Sequence, residues 1–244
     1  LAFKNHKENN FNIAEKFYKQ ILETNPSHFD SIFYLASLSV QIKNFHSAKE
    51  LFEKAIYIKP DFDIAYANLG AVLKELGKFK EAVSACEKAI SIQPNNLGAL
   101  RNLALALQEL GEIEKAITCF SKLSKIETNP SNSYQNLGKL NVMLGNKKEA
   151  INFYQLAIKN DPENLSNYYN LFDLDKKILD VSLKKRIDKA VKENKYKKNL
   201  AYGNFLLSKY ESNVKNYKKE FNYLLKGHSC YLESQDKGYK NDIE

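Results

Sequence analysis

Three prolines, Pro26, Pro60 and Pro94, stand 34 residues apart, and the residues between them repeat in one register. A period of this length marks a unit too small to bury its own apolar face, so the fold must be built by stacking copies of it. Pro130 follows 36 residues later and Pro162 a further 32, which restores the frame. The blocks are therefore 29–62, 63–96, 97–130 and 131–164. Their seventh position reads Leu35, Leu69, Leu103 and Leu137, and their eighth Ala36, Gly70, Ala104 and Gly138. The twentieth is Ala48, Ala82, Ala116 and Ala150, with Ala14 ahead of them in a partial first block. Alanine keeps a high helix propensity while letting a neighbouring helix approach closely, so this column marks packed helices.

Gly77, Gly111 and Gly145 recur between two helix-period segments of each block, where a left-handed residue would end the first helix. Two helices per block follow, with the proline after the second and with Asp61, Asn96 and Asn164 placed to cap the next first helix. The fold class is all-α. Leu at seven, Gly or Ala at eight, Ala at twenty, an aromatic at twenty-four (Tyr18, Phe52, Phe120, Tyr154) and Pro at thirty-two resemble the tetratricopeptide repeat family over residues 1–164. The resemblance implies a right-handed α-solenoid of helix-turn-helix repeats. Departures are Ile32, Tyr66, Leu100 and Tyr134 where the family has Trp, Cys86 in place of the aromatic, and Thr128 in place of one proline.

Both ends of the array break the pattern. Leu1 and Ala2 fall at positions seven and eight of a block, so further sequence upstream is expected. Residues 165–198 form a divergent sixth block, with Phe172 at the small position and Lys184 at the close-packing alanine position, and must pack differently. Residues 199–244 read as a divergent seventh repeat or C-terminal cap. Within it Phe205, Leu207, Phe221 and Gly227 resemble the helical pair preceding the catalytic domain in bacterial proteins that fuse these repeats to a sulfotransferase. That resemblance implies a transferase domain beyond Glu244, for which this array would recruit substrate.

With 43% hydrophobic and 27% charged residues the chain is a folded one, and no apolar run approaches a membrane span. No signal peptide opens it, so a cytoplasmic location and no membrane partner are expected. Of the net charge of +8, residues 1–164 carry +2 (20 Lys+Arg, 18 Asp+Glu) and residues 165–244 carry +6 (17 and 11). Lys184, Lys185, Arg186, Lys189, Lys192, Lys195, Lys197 and Lys198 supply much of this excess, interrupted by Asp188 and Glu193; nucleic acid is the less favoured partner. Cys86, Cys119 and Cys230 are too scattered for a disulfide framework or zinc site, and His228 with Cys230 is the one close pair of metal-binding types. No catalytic, metal or cofactor site is expected, and the oligomeric state is not encoded in any feature of the sequence.

One polar column stands out. Asn68, Asn102, Asn136 and Asn170 recur every 34 residues, each just before a leucine of position seven. A residue one step from a buried one is turned about 100° away along a helix. In the family this direction is the inner wall of the superhelix. An amide offers both acceptor and donors, enough to hold the backbone of an extended peptide. The column resembles the asparagine ladder of the repeat region of O-linked N-acetylglucosamine transferase; its alternative role is a plain helix surface. Arg101 and Gln135 at position five, Lys139 at nine, and Lys74, Gln108 and Lys176 at twelve could face the same groove. A chaperone-tail carboxylate clamp does not fit, because its Lys and Asn positions hold Phe33 with Ser37 and Ala67 with Ala71. The reading is a scaffold for a protein or peptide partner.

Overall fold

The computed structural model describes residues 1–193 and 195–235, so the end of the 199–244 block lies outside the described residues. Its helices divide into two compact units, Leu1–Glu127 and Thr128–Glu244. The first holds α1 (Ala2–Lys7), α2 (Phe11–Thr24), α3 (Phe29–Gln41), α4 (Phe45–Ile58), α5 (Asp63–Glu75), α6 (Phe79–Ile92), α7 (Leu97–Glu109) and α8 (Ile113–Ile126). The second holds α9 (Ser131–Met143), α10 (Lys147–Asn160), α11 (Leu165–Leu174), a 3-10 turn (Lys176–Ile178), α12 (Val181–Glu193), α13 (Lys197–Asn213) and α14 (Tyr217–Gln235). The described residues contain no strand.

The first helices α1, α3, α5, α7, α9 and α13 each stop where the chain turns left-handed. Gly77, Gly111 and Gly145 have φ of 72°, 76° and 77°, and Lys78 N donates to Leu73 O at 2.8 Å to close the end of α5. Asn9, Lys43 and Lys215 take the same conformation without glycine, at φ near 60°. The column of left-handed residues is thus longer than the glycines alone reveal. Of the three caps expected, Asn96 accepts from Ala99 N at 2.8 Å and Asn164 from Ser166 N at 3.2 Å. Asp61 does not act: Phe62 is the N-cap of α5, and the carboxylate near that end, Asp63, accepts from Asn96 Nδ2 instead.

The apolar columns form the core of each unit. All five alanines of position twenty are fully buried, as are Phe52 and Leu123, and each leucine of position seven is buried beside them. A buried side chain of this size contributes about 1.5–3 kcal/mol. In the second unit a polar network ties α9 to α11: Gln135 Nε2 donates to Asn167 Oδ1 (2.6 Å), Asn167 Nδ2 to Ser131 Oγ (3.2 Å), and Ser131 Oγ to Ala157 O (3.0 Å).

Residues 165–198 depart from the pattern for a visible reason. Phe172 is buried where the other blocks have Gly or Ala, so the backbone of α12 packs against α13 and stands off α11. No left-handed residue follows α11; Leu179 has φ −89°. A pocket of about 620 Å³ results, with Leu165, Leu183 and Ile187 at its floor and Arg186 at its rim. Lys184, in the alanine position, reaches out to Asp188 and to the buried Glu211 of α13, 3.5 Å from each.

Candidate functional site

In the first unit, α5 carries Asn68 and α7 carries Asn102, both half-buried beside their leucines. Asn102 Nδ2 donates to Ala67 O at 3.2 Å, which seats its amide against the residue preceding Asn68. Among the described residues the second N–H and the Oδ1 of Asn102 have no hydrogen-bond partner, and Asn68 has no side-chain hydrogen bond. Two neighbouring amides with spare donors and acceptors result. The cations expected beside them are engaged within the chain: Arg101 donates to Glu127 at 2.5 Å, and Lys74 pairs with Glu75. Gln108 is partly buried, and its Oε1 is sealed from solvent with no hydrogen-bond partner among the described residues.

In the second unit, Asn136 Nδ2 donates to Asn132 O of its own helix at 2.9 Å, while Asn170 has no side-chain hydrogen bond among the described residues. Gln135 is spent on Ser166 and Asn167. Lys139 stays exposed; partial desolvation of its ammonium and the nearby Lys198 lower its pKa. A polar cleft of about 390 Å³ lies in the same unit, with Asn132, Gln135, Ser166, Lys198, Asn199 and Tyr202 as well as Asp161 and Glu163 among its lining residues. Tyr169 stands 5.5 Å from the ring of Tyr202 and 6.1 Å from Phe205, adding an aromatic row between α11 and α13. Lys176 lies over the Phe172 ring and 3.5 Å from Asp173.

The four asparagines therefore fall into two pairs, one in each compact unit. The sequence column placed them in register but carried no signal for the division at Glu127. Asn167, which joins α9 to α11, escaped the sequence reading; its signal is an amide in a third-position column whose other residues, Ser31, Ala65, Ala99 and Ser133, are all small.

Other chemistry is sparse. Cys86 is buried and burial pushes its thiol pKa up to about 12, so it fills space. Among the described residues no three His, Cys, Asp or Glu side chains gather where they could hold a metal ion. Of the basic cluster, Lys184, Lys189 and Lys197 pair with carboxylates, and Arg186 donates to the Tyr168 hydroxyl at 2.9 Å. No described helix is long and apolar enough to cross a membrane.

Family profiles described as tetratricopeptide repeat match residues 30–62 and 131–164, 64–96, and 85–118. The chain belongs to the tetratricopeptide repeat family. All of these matches are to the repeat itself, and none supports the sulfotransferase resemblance of residues 205–234. No curated protein matches the chain. Among solved tetratricopeptide-like structures, PilF of Pseudomonas aeruginosa superposes with a TM-score of 0.68 at 20% identity, covering 87% of this chain and 97% of its own. MamA gives 0.64 at 23% identity over 67% of this chain and 95% of its own. YrrB, described as a TPR protein with an unusual peptide-binding site, gives 0.61 at 21% identity over 69% and 87%. At these identities the likeness establishes the fold.

Proposed function

We propose that this tetratricopeptide array is a non-catalytic scaffold that binds an extended segment of a partner protein across its first helices. The observation that carries the reading is the Asn68–Asn102 pair, where the Asn102 amide is anchored on Ala67 O and the neighbouring Asn68 amide has no partner among the described residues. First helices packed roughly 8–10 Å apart present such amides about every third residue of a strand that rises roughly 3.3 Å per residue. The Asn136–Asn170 pair offers the second unit the same chemistry. Binding through backbone groups is tolerant of the partner's sequence, and flanking side chains supply selectivity. The described peptide-binding site of YrrB is consistent with this use of the fold.

The test is binding of this chain to an array of extended peptides, alongside N68A/N102A and N136A/N170A variants, at low and high salt. Losing two hydrogen bonds of about 0.5–1.5 kcal/mol each weakens binding by roughly 5- to 150-fold. Unchanged binding in both variants rules out the amide pairs. Capture confined to acidic ligands and abolished by salt moves the activity to the basic surface of α12.

A further inference from the structure

Where the family pattern holds, the two helices of a repeat close on each other: the alanines of position twenty are fully buried, and Gly70 and Gly138 admit Cys86 and Tyr154. The last helix pair departs from this. Counting from the left-handed Lys215, which stands where Gly77 does, Ser208 of α13 takes position eight, and Glu220 and Leu224 of α14 take positions twenty and twenty-four. A carboxylate thus replaces the alanine. All three residues line a cavity of about 420 Å³.

The other walls of this cavity are aromatic. Tyr169 of α11, Phe205 of α13, and His228 and Tyr231 of α14 line it, with the Phe205 ring 5.2 Å from His228 at 69° and 6.1 Å from Tyr169 at 54°. Gly227 lets the Phe205 ring lie there, since a Cβ on it would sit 2.5 Å from that ring. Rings inclined in this way leave part of each face uncovered, and an uncovered face attracts a cation. Elsewhere in the same unit the chain supplies that cation itself: Lys176 lies over Phe172, Lys184 over Tyr210, Arg186 over Tyr168 and Lys226 over Tyr223. Among the described residues no cation lies over Tyr169, Phe205 or Tyr231.

The polar groups of the cavity ask for the same kind of ligand. Ser208 is 4% exposed and has no side-chain hydrogen bond among the described residues. The half-buried Glu220 has neither an ion pair nor a side-chain hydrogen bond among them. Buried polar groups are normally satisfied, so both acceptors call for a donor from outside. Lys209 also lines the cavity, but it is exposed and forms no ion pair with Glu220. A guanidinium supplies N–H donors in one plane together with a weakly hydrated charge that stacks on rings. A quaternary ammonium donates nothing, and a lysine ammonium is a compact, strongly hydrated charge.

We infer that this cavity receives the guanidinium of an arginine side chain on a partner protein, with its charge on Glu220 and its plane against the aromatic walls. The helices that build it carry neither Asn68 nor Asn102, so the site stands or falls independently of that amide pair.

Proton NMR titration of the 244-residue chain with N-acetyl-arginine methylamide tests this, beside the neutral isostere N-acetyl-citrulline methylamide and the acidic N-acetyl-glutamate methylamide. Arginine is expected to shift the aromatic ring signals with an affinity at least about tenfold above that of citrulline, the factor of one charge-assisted hydrogen bond. Glutamate is expected not to bind. E220Q should weaken arginine binding about tenfold, and Y231L roughly two- to fivefold. K209M should strengthen it, because a like charge leaves the lining, and N68A/N102A should leave it unchanged. Absence of arginine binding, or equal binding of arginine and citrulline, overturns the inference. So does an E220Q protein that keeps its helix content by circular dichroism and binds arginine as the wild type does. Should E220Q fail to fold, K209M at its exposed position decides alone: unchanged or weaker arginine binding there overturns the inference.

Discussion

A Cβ built on Gly70 would lie 2.3 Å from Sγ of Cys86, and another on Gly138 would lie 2.7 Å from the ring of Tyr154. Both pairs join position eight of a first helix to position twenty-four of the second helix in the same repeat. The small column and the large column are thus a single packing constraint. Where Phe172 enlarges position eight, position twenty-four is Asp188, and the two helices no longer close on each other.

G70A is accordingly expected to destabilise the first unit by about 1–3 kcal/mol through overpacking. C86A alone costs less, and G70A/C86A is expected to be more stable than the sum of the two, because the added methyl enters the space the thiol leaves. Urea unfolding of the four proteins measures this coupling; strict additivity sinks the paired reading.

K184A restores the family's alanine and is still expected to lower stability, by roughly 1–3 kcal/mol. It removes the cation 3.5 Å from Glu211, whose side chain is only 4% exposed, leaving a buried carboxylate without that partner. K184A/E211Q should recover most of the loss in thermal melts.

Gln108 Oε1 is buried without a hydrogen bond among the described residues, which costs about 1–3 kcal/mol. Q108L is expected to raise the denaturant midpoint while leaving peptide binding unchanged. A lowered midpoint would show that this oxygen has a partner.

Alkaline pH should unfold the chain ahead of any general base damage. Burial pushes the Cys86 thiol from 9.0 up to about 12, and burial with a nearby Tyr34 or Asp173 pushes Tyr18 and Tyr154 from 10.0 up to about 12. These groups are held protonated by the fold, so the unfolded chain ionises first as pH rises. Their stabilisation is complete below about pH 9 and is lost between about 9 and 12. Melting temperatures measured across that window should fall, and less steeply for C86A over its first part. At about pH 8, Cys86 should also resist a thiol reagent until urea is added.

Much of this protein was fixed by its sequence. The 34-residue period, the leucine and alanine columns and the turn glycines settle an all-helical stack of tetratricopeptide pairs, because each reports a local or nearest-neighbour requirement that repeats. Phe172 and Lys184 likewise announced that residues 165–198 pack differently. Tertiary structure decided which polar groups remain available. Gln135 and Arg101 read as groove residues by position, yet the first is bound by Ser166 and Asn167 and the second by Glu127, partners 26 to 32 residues distant whose approach no periodicity encodes. It also decided that the asparagine column falls into two compact units. Helix identity follows from the side chains of a single segment, whereas the use of a surface depends on which neighbours reach it.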